Sequence, residues 1–301
     1  MGQFFVYLIA SLPKIGAYAM LGLGITVIYQ ASRVLNLAHG ALAMLAAYAC
    51  YQLSVWHVPL LFCAVGGVVV GATLGLGVER VFVRRLRPAG PTTQTVGTVA
   101  ALTLAIALAT RIWGSLPVPA PRLLPAGALR LPDGFVPWSL LGIFPIALIG
   151  GALLFGLFQF SDIGLAMRGA AMNRRGAALR GVNPDRTAAL AWLLAGGFAG
   201  LAGILLAGAT SLDPFSISLG ALPAFVAALI GGLESLPGVC VGAAIVGFVE
   251  GMVPALANFP LIGSFLQGQG SPELVLGVVA LVVMALRGAR LSTGDVRAEA
   301  L

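Results

Sequence analysis

The stretch Arg33-Val34-Leu35-Asn36-Leu37-Ala38-His39-Gly40 decides how this chain must be read. It sets a cation, an amide, an imidazole and a helix-breaking glycine between two uncharged runs, each long enough to enter a bilayer. Unpartnered polar groups at that depth cost several kcal/mol, so the cluster needs internal partners, a protein-lined cavity, or both.

Working outward, the segment from Val34 to Val78 holds no Asp, Glu, Lys or Arg. At about 1.5 Å per helical residue it suffices for two crossings of a roughly 30 Å hydrocarbon core. The whole chain of 301 residues is 59% hydrophobic and 9% charged, against about 25% charged residues in soluble domains. The composition predicts an all-α, polytopic integral membrane protein forming a single transmembrane domain over residues 1–301. A net charge of +7 could point to nucleic acid, but the basic residues lie in short islands between apolar runs and read as topology signals. No nucleic-acid partner is expected, only membrane lipid.

Uncharged runs place helices near 15–30, 40–55, 59–78, 95–110, 135–158, 187–208, 221–232, 239–257 and 274–286. This gives eight or nine crossings, with 221–232 short enough to be a half-helix. Three islands hold most of the basic residues: Arg80, Arg84, Arg85 and Arg87; Arg168, Arg174, Arg175, Arg180 and Arg186; and Arg287, Arg290 and Arg297. By the positive-inside rule these face the cytoplasm, including the loop 161–186 and the tail 288–301. The N-terminus and the proline-rich loop 113–134, with Arg122 and Arg130, then face out. There is no charged, apolar and cleavable N-terminal pattern, so no removed signal is expected.

Cys50, Cys63 and Cys240 sit in apolar runs without metal-ligand spacing and read as small hydrophobes. His39 and His57 fall on opposite membrane sides in this topology, which argues against a shared metal or an acid–base pair. There is no GxxxxGK[ST] phosphate loop. Neither a cofactor nor enzymatic activity is expected of this chain.

Two motifs carry chemistry. At the first break, Asn36, His39 and Gly40 can border a solute pathway, because an interrupted helix frees backbone groups and presents helix ends. They can equally serve only to hydrogen-bond the broken backbone and hold the kink. The second is Gly164 to Asp185, GLAMRGAAMNRRGAALRGVNPD. Its small residues would let a short alanine-rich helix seat closely in a partner, its arginines would steer that partner, and Gly181 would stop the helix before Pro184. A loop that carries arginines only to fix topology is the plainer alternative. Among the acids, Glu79 beside Arg80 reads as an interface residue, and Glu234 as facing water or pairing with an arginine of the 161–186 loop. Glu250, deep in an apolar run with no second buried acid or base in view, reads as a bundle-facing carboxyl.

Gly24, Ile25, Thr26, Ile28 and Tyr29, then Arg33 to Gly40, then Tyr48, together with Met167-Arg168 and Leu179, Gly181, Val182, Asn183 and Asp185, resemble the branched-chain amino acid (Liv-type) permeases of ATP-binding-cassette importers. Ala195 to Gly208 and Gly231-Gly232-Leu233-Glu234-Ser235-Leu236-Pro237-Gly238 extend the likeness, which runs from about residue 16 to about 285. Gly176, where relatives usually carry alanine, and extra arginines at 175 and 180 depart from the pattern, and the 114–134 loop has no counterpart. The resemblance implies an inner-membrane, multi-pass permease subunit for branched-chain amino acids or a related small polar solute such as urea, short amides or other amino acids. Its implied partners are two cytoplasmic ATPase subunits, a second related permease chain and an extracytoplasmic solute-binding protein. It further implies that Arg168, Ala170, Arg174, Ala177, Leu179, Gly181 and Asp185 couple to the ATPases. The rival reading is a self-sufficient secondary transporter or channel, for which Glu250 would be the ion or proton site.

Overall fold

The computed structural model describes residues 2–124, 127–131, 134–209, 211–256, 274–283 and 285. The helices are α1 (Gly2–Ser32), α2 (His39–Val55), α3 (Leu60–Val78), α4 (Pro91–Trp113), α5 (Trp138–Leu141), α6 (Ile143–Phe160), α7 (Asp162–Met172), α8 (Arg174–Leu179), α9 (Pro184–Ala209), α10 (Pro214–Leu219), α11 (Leu222–Gly231) and α12 (Leu236–Leu256). A last apolar helix, α13, spans Leu274–Val283. The tail 288–301 lies outside the described residues.

Seven helical stretches among the described residues are long and apolar enough to cross a membrane, one of them α10 and α11 taken together. With α2, at 17 residues, and α13, they match the eight or nine segments expected from the sequence. The chain is a multi-pass, all-α membrane protein.

Two helices form the centre. Of the most apolar window in each, 67% of α1 and 56% of α9 is buried, against 17% in the α5–α6 span. Small residues explain how α9 can be so enclosed. A Cβ added to Gly71 of α3 would meet the Gly196 carbonyl of α9 at 2.6 Å and the Gly200 Cα at 3.1 Å. With no side chains between them, the two backbones run antiparallel in direct contact and gain dispersion energy that lipid cannot supply. The same closeness joins α2 to both, since a Cβ on Gly67 would lie 2.7 Å from the Ala46 carbonyl oxygen.

The two arginine islands within the described residues gather at one end of the bundle. There Arg33 ends α1 with a left-handed φ of 59°, a conformation a non-glycine residue holds only when its surroundings enforce it. Its backbone N–H donates to the Tyr29 carbonyl at 2.8 Å. Its guanidinium lies over the Tyr29 ring, 5.5 Å from the centroid, and pairs with Glu234. Glu234 thus finds an arginine, though at the end of α1 rather than in the 161–186 loop.

At the opposite end the proline-rich loop is more ordered than its composition suggests. Val118 and Leu212 exchange both backbone hydrogen bonds, at 2.9 and 3.0 Å. Ala128–Leu131 (β1) pairs antiparallel with Gly134–Pro137 (β2).

Glu250 of α12 has a partner. Its carboxylate accepts from Lys14 of α1 at 2.8 Å and from the Tyr18 hydroxyl. Only the packing of α1 on α12 creates this pair, whose members are 236 positions apart. Removing one partner of a partly buried pair leaves an uncompensated charge. We therefore expect Lys14→Met to lower the thermal stability of the detergent-solubilised protein more than Lys14→Met with Glu250→Gln together. The coupling should be about 1 kcal/mol or more in a double-mutant cycle, and additive losses would show that the pair is idle.

Candidate solute pathway and coupling surface

The first break forms where α1 has ended and the chain turns back to start α2 inside the bundle. Asn36 organises it: its side-chain Oδ1 accepts from the Ala38 N–H at 3.1 Å, and its carbonyl accepts from the His39 N–H at 3.2 Å. The Leu37 N–H donates to the Thr98 hydroxyl of α4 at 3.0 Å. The N–H groups of Leu37, Ala38 and His39, freed by the break, are thus satisfied within the protein, as membrane depth demands.

Asn36, His39 and Gly40 are all buried. The His39 ring rests against α1 where Gly24 lacks a side chain; a Cβ there would lie 2.6 Å from its Cε1. Gly40 packs on the Ser218 backbone and on Ala221, where a Cβ would come within 2.9 Å of the Ala221 methyl. A second break, Gly220-Ala221 between α10 and α11, therefore abuts the first. Gly231 and Gly238 pack on each other in the tight turn joining α11 to α12, while Leu222-Pro223 restarts the helix after Gly220.

Two polar atoms at this junction lack a hydrogen-bond partner in the chain although they are buried, Asn36 Nδ2 and Ser218 Oγ, and Thr26 Oγ1 of α1 is likewise unpartnered. Each costs about 1–3 kcal/mol if left unsatisfied. The junction is thus a patch of uncommitted polarity in a largely apolar bundle.

At the arginine-rich end the 161–183 segment forms two helices rather than one. Asn173 divides them: its backbone is extended and its Oδ1 accepts from the Gly176 N–H at 2.8 Å, capping α8. A Cβ on Gly176 would lie 3.1 Å from Asn173 Cγ, so glycine leaves room for the cap. Gly181, with φ 82°, closes α8. Its N–H donates to the Ala178 carbonyl and the Val182 N–H to the Ala177 carbonyl, both at 3.0 Å, the paired bonds of a Schellman stop. Pro184 then begins α9, where Asn183 Oδ1 accepts from the Asp185 and Arg186 N–H groups.

Between α7 and α8 lies an open groove of about 500 Å³ lined by Leu165, Gly169, Asn173, Ala177, Arg180 and Val182. Beside it Met172 and Leu179 stand 81% and 89% exposed. Of the residues expected to couple, Ala177 lines the groove and Leu179 and Gly181 flank it. Arg168 bonds Gln159 Oε1 at 3.1 Å, and Ala170 is buried toward the bundle. Arg174 and Asp185 pair with each other.

Asp185 also pairs with Arg87. Glu79, expected at the interface beside Arg80, is instead fully buried. It accepts from Arg84 at 2.7 and 3.1 Å and from Arg87 at 2.9 Å. It lies four residues beyond Gly75 on the face of α3 that Cys63, Gly67, Gly71 and Gly75 bury, at the point where a π-helical turn, Glu79–Val83, begins.

The family model described as branched-chain amino acid transport system / permease component matches residues 7–286. The high-affinity branched-chain amino acid transport system permease protein LivH of Salmonella typhimurium is 26% identical over 258 residues, 79% of this chain and 82% of that protein. The corresponding BraD of Pseudomonas aeruginosa is 27% identical over 253 residues, 77% and 80% of the two chains. A probable LivH of Methanocaldococcus jannaschii is 27% identical over 281 residues, 88% and 84%. No solved structure matches. With the match extending over nearly the whole described bundle, from α1 past α13, the chain belongs to the family of branched-chain amino acid transport system permease components.

Proposed function

We propose that this chain is the membrane-spanning subunit of an ATP-driven importer that carries branched-chain amino acids or a related small polar solute into the cell. Two separate cytoplasmic ATPase subunits dock on α7 and α8, a second permease chain completes the pathway, and an extracytoplasmic binding protein delivers the solute. The observation that carries the reading is the α7–α8 groove with Met172 and Leu179 exposed beside it at the arginine-rich end. Large apolar side chains standing clear of the bundle among arginines suit a protein partner in water better than lipid.

The abutting breaks at Asn36 to Gly40 and at Gly220-Ala221 support a pathway through the bundle centre, where movement of α2 against α10 would expose the uncommitted polar atoms to a passing solute. Weak binding there suffices, because the delivery protein makes the selection. The secondary-transporter reading loses ground because Glu250, its candidate ion site, is already neutralised by Lys14.

His39→Ala tests the pathway. Uptake by the assembled complex should fall about tenfold, the effect of losing one buried polar contact, while solute binding to the delivery protein and membrane abundance stay unchanged. Normal uptake at normal abundance would remove His39 from the pathway. Sidedness is tested by cysteine labelling in a cysteine-free background: a cysteine at position 175 should resist impermeant reagent in right-side-out cells, and ready labelling would invert the topology.

A further inference from the structure

We propose that Glu79 and Arg87 are positioning residues in a charge relay that carries movement of the α7–α8 segment into the α3–α9 pair, with the π-helical turn at Glu79–Val83 as the point of flexure. The inference rests on the importer reading above.

The relay is continuous in space. Arg174, at the start of α8, pairs with Asp185 in the first turn of α9, and Arg87 pairs with the same carboxylate. Through its other terminal nitrogen Arg87 reaches Glu79 Oε1 at 2.9 Å. Arg84 grips both Glu79 oxygens and also donates to the Asp185 backbone carbonyl at 3.3 Å. A single planar guanidinium thus spans the ends of α3 and α9, a task suited to the fixed fork of arginine and not to the point charge of lysine.

Stability alone does not account for this cluster. A carboxylate as buried as Glu79 pays a desolvation cost that pairing only repays, and an apolar residue of similar size would do as well or better. What a buried, multiply bonded ion pair supplies is fixed relative position. The groups it fixes here are the ones a mechanism must connect. The outer link, Arg174–Asp185, is half-exposed on both sides, so it can be reset when a partner presses on α8. The inner link is buried and holds. Beyond it, α3 and α9 are in backbone contact at Gly71 and Gly196 and must move together. The pair in turn grips α2, whose first turn carries His39, so a displacement at Asp185 has a rigid route to the helix breaks. The π-helical turn supplies the compliance, since its hydrogen bonds are fewer and longer in reach than those of the α-helix it follows.

The experiment uses the complex purified with its ATPases and reconstituted in liposomes, comparing wild type with Glu79→Gln and Arg87→Lys. Copurification, ATP hydrolysis and uptake per ATP hydrolysed are measured on each. The relay predicts that both variants assemble and hydrolyse ATP near the wild-type rate while uptake per ATP falls about tenfold, as expected for loss of a charged hydrogen bond in the transmitting path. Should Glu79→Gln fail to accumulate, Arg87→Lys, which retains the charge, decides the matter alone. An unchanged ratio of uptake to hydrolysis in Arg87→Lys would overturn the relay, and losses that merely track abundance would reduce the cluster to a staple. A wild-type preparation without any ATP-dependent uptake would overturn the importer reading itself, and the relay with it.

Discussion

Gly40→Ala should nearly abolish uptake, whereas Gly77→Ala should leave it intact. Both changes add one methyl group to a helix of an apolar bundle, and alanine is the better helix former at both sites. At Gly77 the new methyl would meet nothing within 4 Å. At Gly40 it would fall on the Ser218 backbone, with its carbonyl carbon 2.8 Å away and the Ala221 methyl at 2.9 Å. Neither neighbour is the free end of a flexible side chain, so α2 and α10 must separate. Overpacking of this kind costs about 1–3 kcal/mol where side chains can yield, and more against backbone. Comparing membrane abundance and uptake of the two variants checks the expectation. Wild-type uptake by Gly40→Ala would mean that the two helix breaks do not need the contact seen here.

Ala177→Trp should separate the chain from its ATPases without harming the membrane fold. Ala177 lines the groove between α7 and α8, outside the apolar spans. An indole there fills the space a docking surface needs, while the bundle, held by α1, α3, α9 and α12, gains no clash. We expect near-wild-type abundance with loss of ATPase copurification, or hydrolysis no longer coupled to uptake. Overpacking by about 1–3 kcal/mol at a packed site corresponds to a roughly 5- to 150-fold weaker association. Unaltered copurification and uptake would show that this surface is not where the ATPases sit.

Much of the fold was legible because lipid imposes a strong and simple rule: long uncharged runs span, and arginines mark one side. The polar stretch Arg33 to Gly40 announced a broken helix, and α2 does begin within it. What the sequence did not disclose depends on which helices touch. Lys14 and Glu250 are 236 positions apart, and nothing local in either predicts that α1 packs on α12. Glu79 was read from its neighbour Arg80, although its place four residues beyond Gly75, in line with Cys63, Gly67 and Gly71, puts it on the buried face of α3. The division of α7 from α8 was available in Asn173, a good capping residue followed by glycine at the position whose N–H it binds. That Ser218 and Ala221, on either side of Gly220, lie beside Gly40 depends on how α10 packs on α2 and has no local mark.

The central claim is tested most directly by uptake into liposomes that hold the chain assembled with its permease partner and ATPases, with labelled leucine and the binding protein outside and ATP trapped within. Accumulation should require both ATP and the binding protein and should stop when hydrolysis is blocked by vanadate. Accumulation by this chain alone, driven by a proton or sodium gradient without nucleotide, would contradict it.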